Sequence, residues 1–171
     1  MKNVTVKRLC LMGVLVAIAM LFSYVESLIP VFLPIPGIRL GLANIIVLIA
    51  LLMLGPGEAF FIGFVRIMLS ALLFGNLFSL ALSFSGFLLS FISMLIVKKA
   101  DRFTIPGISM TGGFFHNLAQ LCCASLILSS GGIMIYTFPL CIVGLITGII
   151  NGFIAKMIYE RGDMNRYDRM S

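Results

Sequence analysis

The stretch Ala59-Phe-Phe-Ile-Gly-Phe-Val-Arg66-Ile-Met-Leu-Ser70-Ala-Leu-Leu-Phe74 decides how this chain is read. It is apolar over the length of a membrane helix except at one position, and that position is a guanidinium. A charged residue at the centre of a bilayer costs roughly 2.5–3.5 kcal/mol even on insertion-based scales. Arginine does not escape the cost by losing its proton. A chain that keeps such a residue turns it toward a bundle interior, a partner or a wet cavity. The first question about function is therefore what Arg66 faces.

Outward from this stretch the composition is uniform. The 171 residues are 61% hydrophobic and 11% charged, with a mean hydropathy of +1.18, which leaves no room for a separate soluble domain. The expectation is an all-α membrane protein, a single integral membrane domain over residues 1–171. Apolar runs place six spans at about Leu9–Val25, Leu40–Leu54, Ala59–Phe74, Leu77–Val97, Ile108–Ser129 and Ile133–Tyr159. A spanning helix needs about 20 apolar residues, so the second run is short. Charge argues that it crosses. With six crossings and both termini cytoplasmic, Lys2, Lys7, Arg8, Lys98, Lys99, Arg102, Lys156, Arg161, Arg166 and Arg169 all lie inside, and Arg39 alone lies outside. That distribution obeys the positive-inside rule, and it collapses if the second run does not cross. Lys2, Lys7 and Arg8 before Leu9–Val25 resemble the start of a signal peptide. No small-x-small cleavage site follows, so the run reads as a retained anchor in a plasma membrane protein.

The net charge of +6 does not point to nucleic acid, because the basic residues sit at span ends where topology accounts for them. The obligate partner is the lipid bilayer. Cys10, Cys122, Cys123 and Cys141 fall in or beside apolar runs without metal-ligand spacing. Gly55-Pro56-Gly57-Glu58 reads as a tight inner turn; Gly75-Asn76 and Ser129-Ser130-Gly131-Gly132 read as outer turns. The outer segment Glu26–Arg39 is different. Pro30, Pro34 and Pro36 among apolar residues exclude a regular helix, and the segment is expected to lie as a lid over an outward-facing cavity.

Glu26 and Arg39 flank that lid, Asn44 opens the second span, and Asn76 is expected to cap the third. His116 and Gln120, four residues apart, share one face of the fifth span, with Asn117 beside them. Such a trio either binds neighbouring helices or binds a ligand. Gly144, Gly148 and Gly152 form a smooth stripe on the sixth span, and Gly13 and Ala17 form a shorter one on the first. Stripes of this kind serve close helix packing or the docking of a second membrane protein. Enzyme signatures are missing: there is no nucleophile–base set, no phosphate loop and no aspartate pair for Mg²⁺–diphosphate chemistry. One histidine without nearby thiol or carboxylate offers no metal site, and no cofactor is implied.

Five blocks occur in order: Gly37-Ile-Arg-Leu-Gly-Leu-Ala-Asn-Ile-Ile46, Leu54-Gly-Pro-Gly-Glu-Ala59, Val65-Arg66, Leu73-Phe-Gly-Asn76 and His116-Asn-Leu-Ala-Gln120. Together they resemble the heptaprenyl diphosphate synthase component I family, also called the Gx transporter family, from Glu26 to Gly152. More distantly the layout resembles the substrate-binding S components of energy-coupling-factor transporters. That second resemblance implies a six-helix bundle holding a small molecule under the loop between helices one and two. It also implies a coupling membrane protein, docked on the first helix and working with ATPase subunits; Gly13-x-x-x-Ala17 matches the docking pattern in part. The first resemblance implies a non-catalytic accessory to a soluble polyprenyl diphosphate synthase subunit. Asp101, Asp163 and Asp168 are too scattered for prenyl transfer by this chain itself, so the leading expectation is a substrate-binding subunit for uptake.

Arg66 lies about midway between Glu58 and Asn76, level with Gln120 and His116 of the fifth span. No acidic residue is expected at that depth. Its acceptors are expected to be Gln120, Asn117, His116 and backbone carbonyls, a neutral set that leaves the charge for a ligand carrying a carboxylate, phosphate or polarised carbonyl; the alternative is that Arg66 packs against backbone carbonyls as a helix clamp. Arg66 is thus expected to floor a substrate site lined by His116, Asn117, Gln120, Asn44, Asn76, Arg39 and Glu26.

Overall fold

The computed structural model describes residues 6–28, 39 and 41–167, with side chains to 161. Pro30, Pro34 and Pro36 of the expected lid lie outside the described residues, as do Lys2, Arg169 and the side chain of Arg166. Among the described residues there is no strand. The helices are α1 (Val6–Leu28), α2 (Asn44–Met53), α3 (Pro56–Phe74), α4 (Leu77–Lys99), α5 (Ile105–Ile127) and α6 (Thr137–Tyr167), with a 3₁₀ turn over Gly131–Tyr136. Four stretches are long and apolar enough to cross a membrane: α1, α3, α4 and the segment Gly131–Arg161. Leu9, Leu21, Leu72, Leu77, Ile96 and Phe138 project from these helices with more than half their surface exposed, as lipid-facing residues do. The chain is a membrane protein.

Local chemistry sets the helix ends. Gly55 breaks the chain at φ 120°, and Pro56 follows at the start of α3, where its missing N–H costs nothing. Asn76 accepts from the Ser79 N–H at 2.7 Å and so caps α4, not the third helix. Thr104 accepts from the Gly107 N–H at 3.4 Å and starts α5 three residues earlier than the apolar run. Pro106 in its first turn suits that start.

Two elements depart from the expected spans. α5 has the length to cross but carries enough polar residues to lower its hydropathy, and these are buried. α2 covers Asn44–Met53, against the run Leu40–Leu54, and ten residues rise only about 15 Å, half the hydrocarbon thickness. Asn44 through Leu51 are all buried, because α2 sits inside the bundle against α1, α3, α5 and α6. A helix wrapped on every side is apolar on every side. At its other end the Lys98 ammonium donates to the Leu51 carbonyl at 2.6 Å, filling an acceptor that the helix end leaves open.

α5 packs most extensively on α6 and α4. Gly144, Gly148 and Gly152 of α6 face α5, where Gly113 meets Gly144 and Gly148 backbone to backbone. A β-carbon on Gly148 would stand 2.8 Å from both Met110 Cα and Ser109 O. This stripe therefore serves packing inside the bundle. The stripe on α1 does not: Gly13 and Ala17 are exposed, with nothing within 4 Å of a β-carbon built on Gly13. Overpacking costs typically 1–3 kcal/mol, and here the obstacle is backbone that cannot step aside. Gly148→Val is therefore expected to lower the thermal unfolding midpoint in detergent by several degrees, while Gly13→Val leaves it unchanged.

Candidate functional site

The polar interior of the bundle is organised around Arg39 and the short stretch Gly41–Ala43 that leads into α2. Neither belongs to a helix, yet Arg39 and Gly41 are buried. Non-helical backbone at membrane depth is tolerated only where protein or a wet cavity satisfies it. Gln120 of α5 does so at Arg39: its Oε1 accepts from the Arg39 N–H at 3.0 Å, and its Nε2 donates to the Arg39 carbonyl at 3.3 Å. Glu26 of α1 accepts through Oε1 from the N–H groups of Gly41 and Leu42. Asn151 of α6 donates to the Gly41 carbonyl at 3.2 Å. Gly41 itself has φ +85°, a conformation that side-chain-bearing residues rarely adopt.

The same pairing fixes the state of His116. Because Arg39 presents both a donor and an acceptor, the Gln120 amide has one orientation, and its Nε2 also meets His116 Nε2 at 2.6 Å. His116 Nε2 must then accept, which makes the ring neutral with its proton on Nδ1. The ring fits between Gly86 and Gly41; a β-carbon on Gly86 would stand 2.8 Å from His116 Cε1.

The Arg39 side chain runs between α3 and α4. Its guanidinium donates to Ser70 Oγ at 3.3 Å and Ser79 Oγ at 3.4 Å and lies 5.9 Å from the centre of the Phe74 ring. Arg66 is only 3% exposed and donates through Nη1 to Ser23 Oγ of α1 at 3.0 Å. Its Nε and Nη2 have no partner. Glu26 Oε2, His116 Nδ1, Asn117 Oδ1 and Ser83 Oγ are likewise buried and unpartnered. Glu26 is the strongest charge that Arg66 feels and attracts it; Arg39 repels it.

Several expectations change here. Glu26 belongs to the last turn of α1, is 3% exposed, and supplies the acidic neighbour that Arg66 was expected to lack. The acceptor on Arg66 is Ser23, not Gln120, Asn117 or His116. Asn117 points the other way, donating to the Leu140 carbonyl of α6 at 2.8 Å, so it joins α5 to α6. Asn44 donates weakly to Ser90 Oγ at 3.5 Å near Gly41. Asn76 is exposed and occupied as a cap, apart from the cluster. Arg39, Glu26, Arg66, His116 and Gln120 do come together, with Asn44 at the edge. Sequence reading missed Ser23, Ser70, Ser79 and Asn151. Ser23 could have been found from its spacing to Glu26, three residues on and hence on the same face of α1. Among the described residues no group of three His, Cys, Asp or Glu side chains is placed to hold a metal ion.

Residues 15–158 match the family described as heptaprenyl diphosphate synthase component I. The chain belongs to this family. The match takes in all five sequence blocks and every residue of the cluster, Ser23 and Asn151 included. No curated protein and no solved structure matches this component I chain.

A buried unsatisfied polar group costs about 1–3 kcal/mol. Asn151→Leu removes the donor on the Gly41 carbonyl without shrinking the side chain, and Gln120→Leu removes two bonds to Arg39. Both are expected to lower thermal stability in detergent, Gln120→Leu more. Hydrogen exchange at Gly41 and Leu42 is expected to accelerate in both, whereas Asn76→Ala leaves those amides unaffected.

Proposed function

We propose that this chain is a non-catalytic membrane subunit that holds a small anionic molecule against Arg66, as accessory component of a polyprenyl diphosphate synthase whose catalysis lies in a separate soluble prenyltransferase. One observation carries the binding part: Arg66 is buried with two N–H groups that meet no acceptor. Of the charges in the cluster, Arg39 and Arg66 are positive and Glu26 is negative, with His116 neutral. One positive charge is left over, and in a low-dielectric interior an anion would offset it strongly. The family description supports the prenyltransferase partner, and a chain without paired aspartates needs another protein for diphosphate chemistry.

A second reading is uptake, with this chain as an S-component-like substrate-binding subunit that relies on a coupling membrane protein and ATPase subunits. It is favoured by where the cluster lies. Ser23 and Glu26 of α1, Ser70 of α3 and Ser79 of α4 are near the helix ends opposite the Lys98–Arg102 cluster, so a ligand would enter from outside in a six-crossing protein. In both readings the chain is one integral domain of the plasma membrane with cytoplasmic termini, and α2 with the stretch before it makes the second crossing. The exposed Gly13–Ala17 face of α1 is then open to a membrane partner.

Lys99, the last residue of α4, and Ser130, just beyond the end of α5, are exposed on either side of α5 in the chain, and both suit cysteine labelling better than Lys98, which is engaged with Leu51. In intact cells a membrane-impermeant maleimide is expected to modify Ser130→Cys and to reach Lys99→Cys only after permeabilisation; the reverse pattern overturns the topology. Native mass spectrometry is expected to find a bound anion on wild-type protein and at least a tenfold lower occupancy on folded Arg66→Gln. Equal occupancy removes Arg66 from the site. Affinity purification separates the two settings: a prenyltransferase supports the first, and an ATPase with a second membrane protein supports the second.

A further inference from the structure

Glu26 and Arg66 are opposite charges, both buried and each the other's strongest charged neighbour, yet no nitrogen–oxygen distance between them falls within 4.0 Å. Among the described residues the ion pairs that do close are Arg8–Glu58 and Lys156–Glu160, both partly exposed. Opposite charges in a poorly polarisable interior attract strongly, so the open separation needs a cause. The cause is visible on both sides. Glu26 Oε1 is occupied by the Gly41 and Leu42 N–H groups, and Arg66 Nη1 by Ser23 Oγ. Ser23 and Glu26 are three residues apart on one face of α1, so the two side chains are pinned side by side and cannot swing together. What remains are two buried donors without a partner on Arg66, Nε and Nη2, and one buried acceptor without a partner on Glu26, Oε2.

We infer that the ligand of this site is amphoteric: it carries an anionic group for Arg66 and, next to that group, a hydroxyl hydrogen-bond donor for Glu26 Oε2. The inference rests on the reading of Arg66 as an anion-binding residue and deepens it. An acceptor-only anion, such as a plain carboxylate, would satisfy Arg66 while setting its own lone pairs against those of Glu26, and it would leave Oε2 unsatisfied. A neutral molecule or a bridging water would satisfy Oε2 and leave the surplus positive charge. Only a molecule with both functions completes the cluster. Sites built to hydrogen-bond a particular group reject analogues that lack it, because their own buried polar atoms are then left bare.

The test uses the full chain in nanodiscs and three probes of equal carbon skeleton: butanoate, 2-hydroxybutanoate and 2-aminobutanoate, each titrated calorimetrically. 2-Hydroxybutanoate, a net anion with a donor, is expected to bind wild-type protein at least tenfold more tightly than butanoate, and more tightly than 2-aminobutanoate, whose ammonium cancels its own charge. In Glu26→Gln the amide oxygen can take over the bonds to Gly41 and Leu42, while the amide nitrogen replaces the free acceptor with a donor. That preference is then expected to fall within about twofold, with butanoate binding equal to wild type or tighter. Equal affinity of all three probes for wild-type protein overturns the amphoteric ligand and leaves the anion reading standing. Absence of binding by all three overturns both. A melting curve checks the fold of Glu26→Gln, and the wild-type comparison decides the question without it.

Discussion

Backbone that leaves helical geometry inside a bilayer has no water to turn to, so its N–H and C=O groups must be met by the protein. In this chain that requirement falls on Arg39 and on the stretch Gly41–Ala43. Gln120, Glu26 and Asn151, from three different helices, converge on it. Without those contacts the stretch would have to be helical or leave the membrane. With them, α2 can be a ten-residue helix that starts in the interior of the bundle.

The arrangement of the polar cluster follows from this. Gln120 is held by Arg39, and because it is held, His116 has one tautomer. Glu26 is held by Gly41 and Leu42, and because one of its oxygens is committed there, the other cannot reach Arg66. Arg66 in turn has Ser23 on one nitrogen and nothing on the others. Groups that serve the backbone thus fix the positions of groups left unsatisfied. The arginine and the glutamate each keep buried atoms without a hydrogen-bond partner, and such atoms cost stability where no partner comes. Close helix packing supports the cluster from outside: the Gly113–Gly144 approach sets the separation of α5 and α6, which carry Gln120 and Asn151.

Belonging to the component I family ties this membrane chain by name to heptaprenyl diphosphate synthase, and the residues of the cluster all fall within the matched segment. The name and the geometry bear on different questions. The name concerns the company the protein keeps; the geometry concerns what it can hold. A buried cationic cluster is compatible with either an accessory or an uptake role, because both require only that a small molecule be recognised inside the membrane.

What the sequence alone determined about this protein is its class and its problem. Composition and run length made it a helical membrane chain, and the isolated charge of Arg66 in an apolar stretch showed that something polar had to be inside. The pairing of His116 with Gln120 was legible too, because a spacing of four places two residues on one helix face whatever the rest does. The tertiary structure decided which way each face turned. Asn117 is one residue from His116 and serves α6 instead; Asn76 is a cap; Glu26 looked like the edge of a loop and is the buried neighbour of Arg66. Helical periodicity is local, whereas the rotation of one helix against another depends on long-range packing. A short non-helical stretch such as Gly41–Ala43 has no period at all to read. Its partners Glu26, Gln120 and Asn151 lie far apart along the chain, so only the assembled bundle could bring them to one place.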